Sequence, residues 1–339
     1  MPELRRDPVV GRWVIIATER ARRPGNILDS SQNVWENGKT PCPFCKDGEV
    51  ERATEKFVFP NGTGWKVKVV ESGTPILRPR EQFQRRGHGL YDVVNDLGTH
   101  EVVIETPEHT ANMADLDAGQ IEIVLKTYAQ RFNDLSRNPK FKYALAYKNH
   151  GLAAGSRPIA HARSQIIAAP VTPLRVKEKL IGARKYFEYR DRCIYCDMVA
   201  QEREQQVRMV TENEHFIAIV PFAARFLFET WVLPRKHSCD FAKGVAGVER
   251  ALAEILKTVL LKLKLGLDDP AYNFVVQTAP IGREKSKGSD WKTIEDDYHW
   301  HIEVIPRLTR VAGFEKGTGF YICSVPPEYA AEYLREVEI

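Results

Sequence analysis

Short runs in which apolar and polar positions alternate recur along the whole chain. They include "RWVIIAT" from Arg12, "WKVKVVE" from Trp65, "HEVVIET" from His100, "KYALAYK" from Lys142 and "SQIIAAP" from Ser164. Four more follow: "FIAIVPF" from Phe216, "TWVLPRK" from Thr230, "YNFVVQT" from Tyr272 and "HIEVIPR" from His301. Period-two alternation bounded by Pro or Gly predicts strands. Two longer stretches have apolar residues at helical spacing instead. "TANMADLDAGQIEIVLKTYAQRFNDLSRNP" predicts a helix ending near Pro139, and "GVERALAEILKTVLLKLKLGLDDP" one that stops at Gly266 and Pro270.

The order of these elements repeats. Each half opens on C-x-x-C, passes through strands to a lone histidine, runs a long amphipathic helix and closes on a strand that carries histidine. The markers are Cys42, Cys45, His109 and His161 in the first half, and Cys193, Cys196, His237 and His299 in the second. An internal duplication of an α+β unit is the simplest account. The expected architecture is two lobes, residues 1–170 and 171–339, built from antiparallel sheets with packed helices. Their joint falls in a helical linker between Val171 and Arg192. The two lobes are expected to form one sheet-based body.

Composition narrows the class. The 339 residues suffice for one large domain or two ordinary ones, and 43% hydrophobic with 28% charged residues is a soluble mixture. A formal net charge of +4 does not argue for nucleic acid, and no nucleic-acid partner is expected. The basic run "ERARRP" at Glu19–Pro24 reads by itself as a solvated face. No run of ~18 apolar residues is present, so no membrane span is expected. The segment "MPELRRDPVVGRW" lacks the apolar core of a signal peptide, which makes a reducing cytoplasm the expected compartment.

In that compartment C-x-x-C reads as metal or redox chemistry. Four ligands in tetrahedral array, two thiolates and two imidazoles, are a common zinc set. The repeated order therefore predicts two zinc ions per chain. The ligands would be Cys42, Cys45, His109 and His161, then Cys193, Cys196, His237 and His299. Cys239 and Cys323 read as buried small hydrophobes, and His88, His100, His150 and His215 as hydrogen-bonded structural residues.

Residues i and i+2 of a strand share a face, which makes His299 and His301 neighbours, and His161 and Arg163 likewise. An imidazole fixed beside a metal anchor can attack the α-phosphorus of a nucleotide and form a nucleotidyl-histidine. At this point the motifs match a family. "RRDPVVGRWVIIATERARRP", "CPFC", "HEVVIETPEH", "YKNHGLAAGS", "HARSQIIAAPVTP", "CIYC", "PFAARFLFETWVLPRKH" and "YHWHIEVIPRLTRVAGFEKGTGFYI" resemble the galactose-1-phosphate uridylyltransferases of the histidine-triad superfamily. The likeness is greatest to the two-zinc branch that includes ADP-glucose phosphorylase-like proteins. The resemblance implies duplicated histidine-triad-like lobes and the same eight zinc ligands. It implies phosphate and sugar contacts from Arg20, Arg23, Asn149, Gly155 and Ser156, and a role for Gln165. It also implies a loop, Arg310 to Gly319, that reaches the sugar phosphate, often across a homodimer.

Two positions depart from the family pattern. Its nucleophile is the second histidine of H-x-H, and here that position is Arg163. A guanidinium stays protonated, so it can bind a phosphate bidentately but cannot attack one. In "KVVESGTPIL", Ser72 and Gly73 replace an asparagine-containing turn that touches the nucleoside. The resemblance implies a nucleotidyltransferase or phosphorylase acting on nucleoside diphosphate sugars and sugar 1-phosphates, with altered chemistry at Arg163. The catalytic candidates are Arg163, Gln165 and, from the second lobe, His301. A zinc-stabilised protein that holds a nucleotide or sugar phosphate without turning it over stays open as the alternative.

Overall fold

A computed structural model describes residues 2–22, 42–45, 54–62, 64–110, 112–157, 159–281 and 291–339. Its first half contains β1 (Glu3–Arg6), β2 (Trp13–Ile16), β3 (Glu55–Asn61), β4 (Gly64–Glu71), β5 (Arg85–His88), β6 (Tyr91–Val94), β7 (Thr99–Ile104), α1 (Ala118–Ser136), β8 (Tyr143–His150) and β9 (Arg163–Ala169). The second half begins with α2 (Leu174–Arg190), α3 (Ile194–Gln205), β10 (Met209–Glu212), β11 (Phe216–Ile219), β12 (Thr230–Pro234), α4 (Phe241–Gly244) and α5 (Glu249–Gly266). It continues through β13 (Tyr272–Gln277), α6 (Ile294–Asp297), β14 (His301–Pro306), α7 (Gly313–Thr318), β15 (Tyr321–Cys323) and α8 (Pro327–Glu336).

Ten of the strands form one sheet in the order β10-β11-β12-β14-β13-β8-β9-β7-β4-β3. Read outward from the centre, each half gives the same series, and the two meet where β8 pairs with β13. The register locates the symmetry. Tyr147 of β8 lies opposite Gln165, and Val275 of β13 lies opposite Glu303. Gln165 and Glu303 each stand four residues after the histidine that precedes the strand, so Tyr147 and Val275 are equivalent positions. They are also direct partners across β8–β13, which puts an approximate twofold axis between them. A separate small sheet, β1-β2-β15, joins early and late chain through the parallel pair β2–β15.

One face of the large sheet is covered by α1 and α5, which also pack on each other. α1 starts where the Asp117 side chain accepts the backbone N–H of Gln120 at 3.0 Å, an N-cap. It buries Ile121, Val124, Leu125, Tyr128 and Phe132, while α5 buries Leu252, Leu256, Val259, Leu260 and Leu263 in the same cluster. Each such side chain contributes about 1.5–3 kcal/mol by leaving water.

The other face differs between the halves. The segment expected as a helical linker is indeed helical in α2, but it lies against the second half-sheet. There Val176, Leu180 and Ala183 pack with Tyr195, Ile217, Ile219, Trp231 and Leu233. Gly182 permits the packing beneath it: a Cβ there would lie 1.8 Å from the Val9 carbonyl oxygen. That turn is fixed by Asp7, whose carboxylate accepts the N–H groups of Val9 and Val10. β14 is consequently buried at every position, whereas alternate residues of β9 remain half-exposed. Among the described residues, that face of the sheet is less covered over its first half.

A continuous sheet with a shared helical layer should unfold as one unit. Cleavage between Val171 and Arg192 is expected to leave two pieces that co-elute on gel filtration, because β8–β13 still joins them. A freely separating folded fragment would contradict this. Leu256→Ala should cost about 2–5 kcal/mol in denaturant unfolding, with both lobes' probes shifting together.

Candidate functional site

The duplicated markers converge in space. Cys42, Cys45, His109 and His161 form one group, and Cys193, Cys196, His237 and His299 another; within each, the ligand atoms lie within 4.8 Å of one another. In the first group Nδ1 of His161 is 3.5 Å from the Cys42 sulfur, and Nδ1 of His109 is 3.4 Å from that of Cys45. In the second, the Cys196 sulfur lies 3.3 Å from Nδ1 of His237 and 3.5 Å from Nδ1 of His299.

The histidines are oriented from behind. Nε2 of His161 donates to the Thr106 carbonyl at 2.9 Å, that of His299 to Pro234 at 2.9 Å, and that of His237 to Glu295 at 2.8 Å. A proton held on Nε2 leaves the Nδ1 lone pair facing the sulfurs, the arrangement a metal ligand needs. Burial lowers the His161 pKa to about 4, favouring the neutral ring. In the second group the neighbouring Cys193 thiol pushes the Cys196 thiol down, so one sulfur of the pair is poised as thiolate. Both groups can hold a metal ion.

Beside the first group, the open half-sheet carries most of the other expected residues. Gln165 is on β9; Asn149 is on β8; Gly155 and Ser156 lie in the loop after β8. Gly155 ends a helical turn with φ +86°, a conformation that favours glycine. Asn149 is set from across the symmetry axis: its Oδ1 accepts from Asn273 Nδ2 at 2.9 Å, and the same amide donates to the Ala154 carbonyl at 2.9 Å. The second lobe thus supports the first lobe's loop.

Arg163 serves that loop as well. Its Nη1 donates to the carbonyls of Ile159 and His161 at 2.9 and 3.2 Å, and its Nη2 to Ser156 Oγ and the Arg157 carbonyl at 3.1 and 3.3 Å. The guanidinium also lies 5.1 Å from the Phe44 ring centre. In this structure the guanidinium thus holds Ser156, Arg157, Ile159 and His161 together. Burial lowers the Arg163 pKa, with the cost of desolvation offset by Cys42 and Glu105. Beneath it, Lys148 donates to Glu105 at 2.7 Å and to the Arg163 carbonyl at 3.0 Å, an ion pair almost wholly out of water.

His301 occupies a different environment. It is fully buried, stacked on Trp231 at 5.0 Å and flanked by Tyr195 at 5.1 Å. Its Nδ1 donates to the His299 carbonyl, and its Nε2 lies 3.1 Å from Lys179 Nζ, brought in by α2. Lys179 and Arg225 pair with Glu303. The His301 side chain has no solvent-facing surface in this structure. The surface lost at this position is taken by α2.

Arg20 is exposed in a 3₁₀ turn at Thr18–Arg22, and Arg310 is exposed just ahead of α7. Arg23 lies outside the described residues. Sequence reasoning missed Asn273 and Tyr147. His100, expected as a hydrogen-bonded structural residue, is buried with its Nε2 2.7 Å from Gln165 Oε1, and the Tyr147 hydroxyl donates to the same oxygen at 3.0 Å. Their signal was slight: polar atoms placed on the open face of otherwise apolar strands.

The chain matches the model of the galactose-1-phosphate uridyl transferase N-terminal domain over residues 1–173 and that of the C-terminal domain over residues 180–320. The chain belongs to the galactose-1-phosphate uridylyltransferase family. Within the family, it is 35% identical to ADP-glucose phosphorylase from Arabidopsis thaliana, an alignment spanning 100% of this chain and 93% of the relative. It is 29% identical to galactose-1-phosphate uridylyltransferase from Thermotoga maritima, over 100% of this chain and 99% of the relative. The crystal structure of the Arabidopsis thaliana ADP-glucose phosphorylase with bound ADP-glucose superposes with a TM-score of 0.83 at 33% identity, covering 100% of both chains. A uridylyltransferase structure gives a TM-score of 0.75 at 26% identity, over 99% of this chain and 98% of the other.

The buried pair under Arg163 generates a stability prediction. Lys148→Met would leave Glu105 charged and without its cation, and should cost about 3–5 kcal/mol. Lys148→Met combined with Glu105→Gln should recover most of that loss in chemical denaturation.

Proposed function

We propose that each Cys₂His₂ group holds one zinc ion, two per chain, and that the open half-sheet binds a nucleotide sugar. The transferred phosphorus then passes directly to an acceptor, with no nucleotidyl-protein intermediate. Tetrahedral zinc with Zn–S near 2.3 Å and Zn–N near 2.05 Å places sulfur and nitrogen about 3.6 Å apart. The sulfur–nitrogen separations of 3.3–3.7 Å fit that edge. Four protein ligands leave no open coordination position, so the metals act as anchors that fix the strand ends.

The observation that carries the functional reading is Arg163 at the family's nucleophile position within an otherwise retained framework. Arginine cannot form the covalent intermediate, and His301 is out of reach in the core. In the direct step, an oxygen of inorganic phosphate or of a sugar 1-phosphate donates an electron pair to the nucleotide's α-phosphorus. The bond from that phosphorus to the bridging oxygen breaks, and sugar 1-phosphate leaves with the electron pair. Phosphate as acceptor yields the nucleoside diphosphate; a sugar 1-phosphate yields a new nucleotide sugar. Asn149, Gln165 and Ser156, with Arg20, Arg23 and Arg310, supply donors to the phosphoryl oxygens, whose charge must be stabilised as the bonds exchange. Arg163 keeps the Ser156 loop in place. The relative solved with bound ADP-glucose supports this ligand class.

The reading includes a homodimer, in which Arg310 to Gly319 reaches the partner's sugar phosphate. Phe314, 50% exposed in that segment, offers an apolar contact. It also places the protein in the cytoplasm, where thiolate ligands stay reduced. Among the described residues no helix is long and apolar enough to cross a membrane. Binding without turnover is the second reading, favoured by a guanidinium already engaged with its own loop.

Initial rates with ADP-glucose and phosphate varied together should give intersecting reciprocal plots. Parallel plots with an acid-labile nucleotidyl adduct would signal a covalent route and overturn the direct one; tight binding with no products would select the second reading. Arg163→Ala should weaken ADP-glucose binding by about 1–3 kcal/mol through loss of the loop's hydrogen bonds.

Elemental analysis should find two zinc ions per chain and one in Cys196→Ser. That variant should also unfold at lower denaturant, because metal binding energy is partly folding energy. A zinc-free native protein would remove the metal assignment.

A further inference from the structure

We propose that His100 is a positioning residue that fixes which end of the Gln165 amide faces a bound phosphate. The inference rests on the nucleotide-sugar reading of the open half-sheet. The hydrogen bonds determine the tautomer. The backbone N–H of Ile76 donates to Nδ1 of His100 at 3.3 Å, so that nitrogen carries a lone pair. A neutral imidazole then has its proton on Nε2. Nε2 is 2.7 Å from the Gln165 side chain, and the atom it meets must be an acceptor, Oε1. The Tyr147 hydroxyl donates to the same oxygen at 3.0 Å, which fills both of its lone pairs. Turning the amide over would set its NH₂ against the His100 N–H, a donor against a donor, and would leave only the Tyr147 hydroxyl able to accept from it. The amide NH₂ is therefore directed away from His100 and Tyr147, on the half-exposed side of β9, as a two-proton donor suited to phosphoryl oxygens.

His100 also holds the turn that follows β4. Its carbonyl accepts the N–H of Ser72 at 2.9 Å, and its ring accepts that of Ile76. The turn between them carries Thr74, whose Oγ1 accepts from Arg157 Nη2 at 2.8 Å. This turn occupies the position that the family resemblance assigns to nucleoside contact. One buried side chain thus keeps the nucleoside-side turn in register with the phosphate-side amide.

The test is a double-mutant cycle on the full chain, read by calorimetric titration with ADP-glucose and UDP-glucose. His100→Ala should weaken binding about tenfold, the scale of one hydrogen bond to a charged group. In a Gln165→Ala background the same change should have less than about a twofold effect, because coupled residues are non-additive. His100→Gln, which restores an N–H at similar reach, should recover most of the affinity. Effects that simply multiply, or no recovery with His100→Gln, would overturn the proposal and make His100 a fold residue. If His100→Ala does not fold, the cycle is run with His100→Gln and His100→Asn.

The Gln165 side-chain amide resonances, assigned by their loss in Gln165→Glu, separate this inference from the functional reading. Should the wild-type chain bind neither nucleotide sugar, that reading fails. The amide signals of the free protein must still shift in His100→Gln if the orientation is set as described; unchanged signals would sink the proposal.

Discussion

Three histidine–carbonyl hydrogen bonds carry more of this structure than their number suggests. In each lobe the imidazole just before a central strand gives its Nε2 proton to a neighbouring backbone and turns Nδ1 toward a cysteine pair distant in sequence. The carbonyls belong to Thr106 just after β7, Pro234 at the end of β12 and Glu295 in α6. A metal bound at Nδ1 would tie two strand ends and the C-x-x-C segment to one point. Two of the candidate residues lie close along the chain to that point: Arg163 is two residues past His161, and Gln165 four. A displacement of His161 would move both.

Duplication supplied two such frames, and the chain has used them differently. In the second, α2 and α3 fill the open face, and the positions equivalent to Arg163 and Gln165 hold His301 and Glu303 inside a buried charge network. Burial alone would raise the Glu303 pKa, but Lys179 and Arg225 outweigh it and hold the carboxyl well below its usual range. Burial, with Lys179 beside it, brings His301 down to about 4, so the imidazole stays neutral next to two cations. Among the described residues the first frame is less covered, and it takes support from the second through Asn273, which holds Asn149 and the loop at Ala154.

Much of this was legible in the residues. Period-two runs located four strands of each half-sheet, though not the outer strands β3 and β10, and the repeated marker order located both ligand groups. Both follow from local spacing, which a sequence displays directly. What stayed hidden depends on pairing between distant segments. Nothing near His301 announces that Lys179, more than a hundred residues earlier, will close over it. Nothing near Arg163 says that its guanidinium will bond to its own preceding loop, at Ser156, Arg157 and Ile159. His100 looked like any histidine at the start of an apolar strand. Its meaning came only from β7 lying beside β9, with the Ile76 turn folded above.

The approximate twofold axis lies beside the candidate site. Tyr147, next to it and facing Val275, also donates its hydroxyl to the Gln165 amide. The seam between the halves and the orientation of that amide therefore share one residue, and a change at Tyr147 would be felt in both.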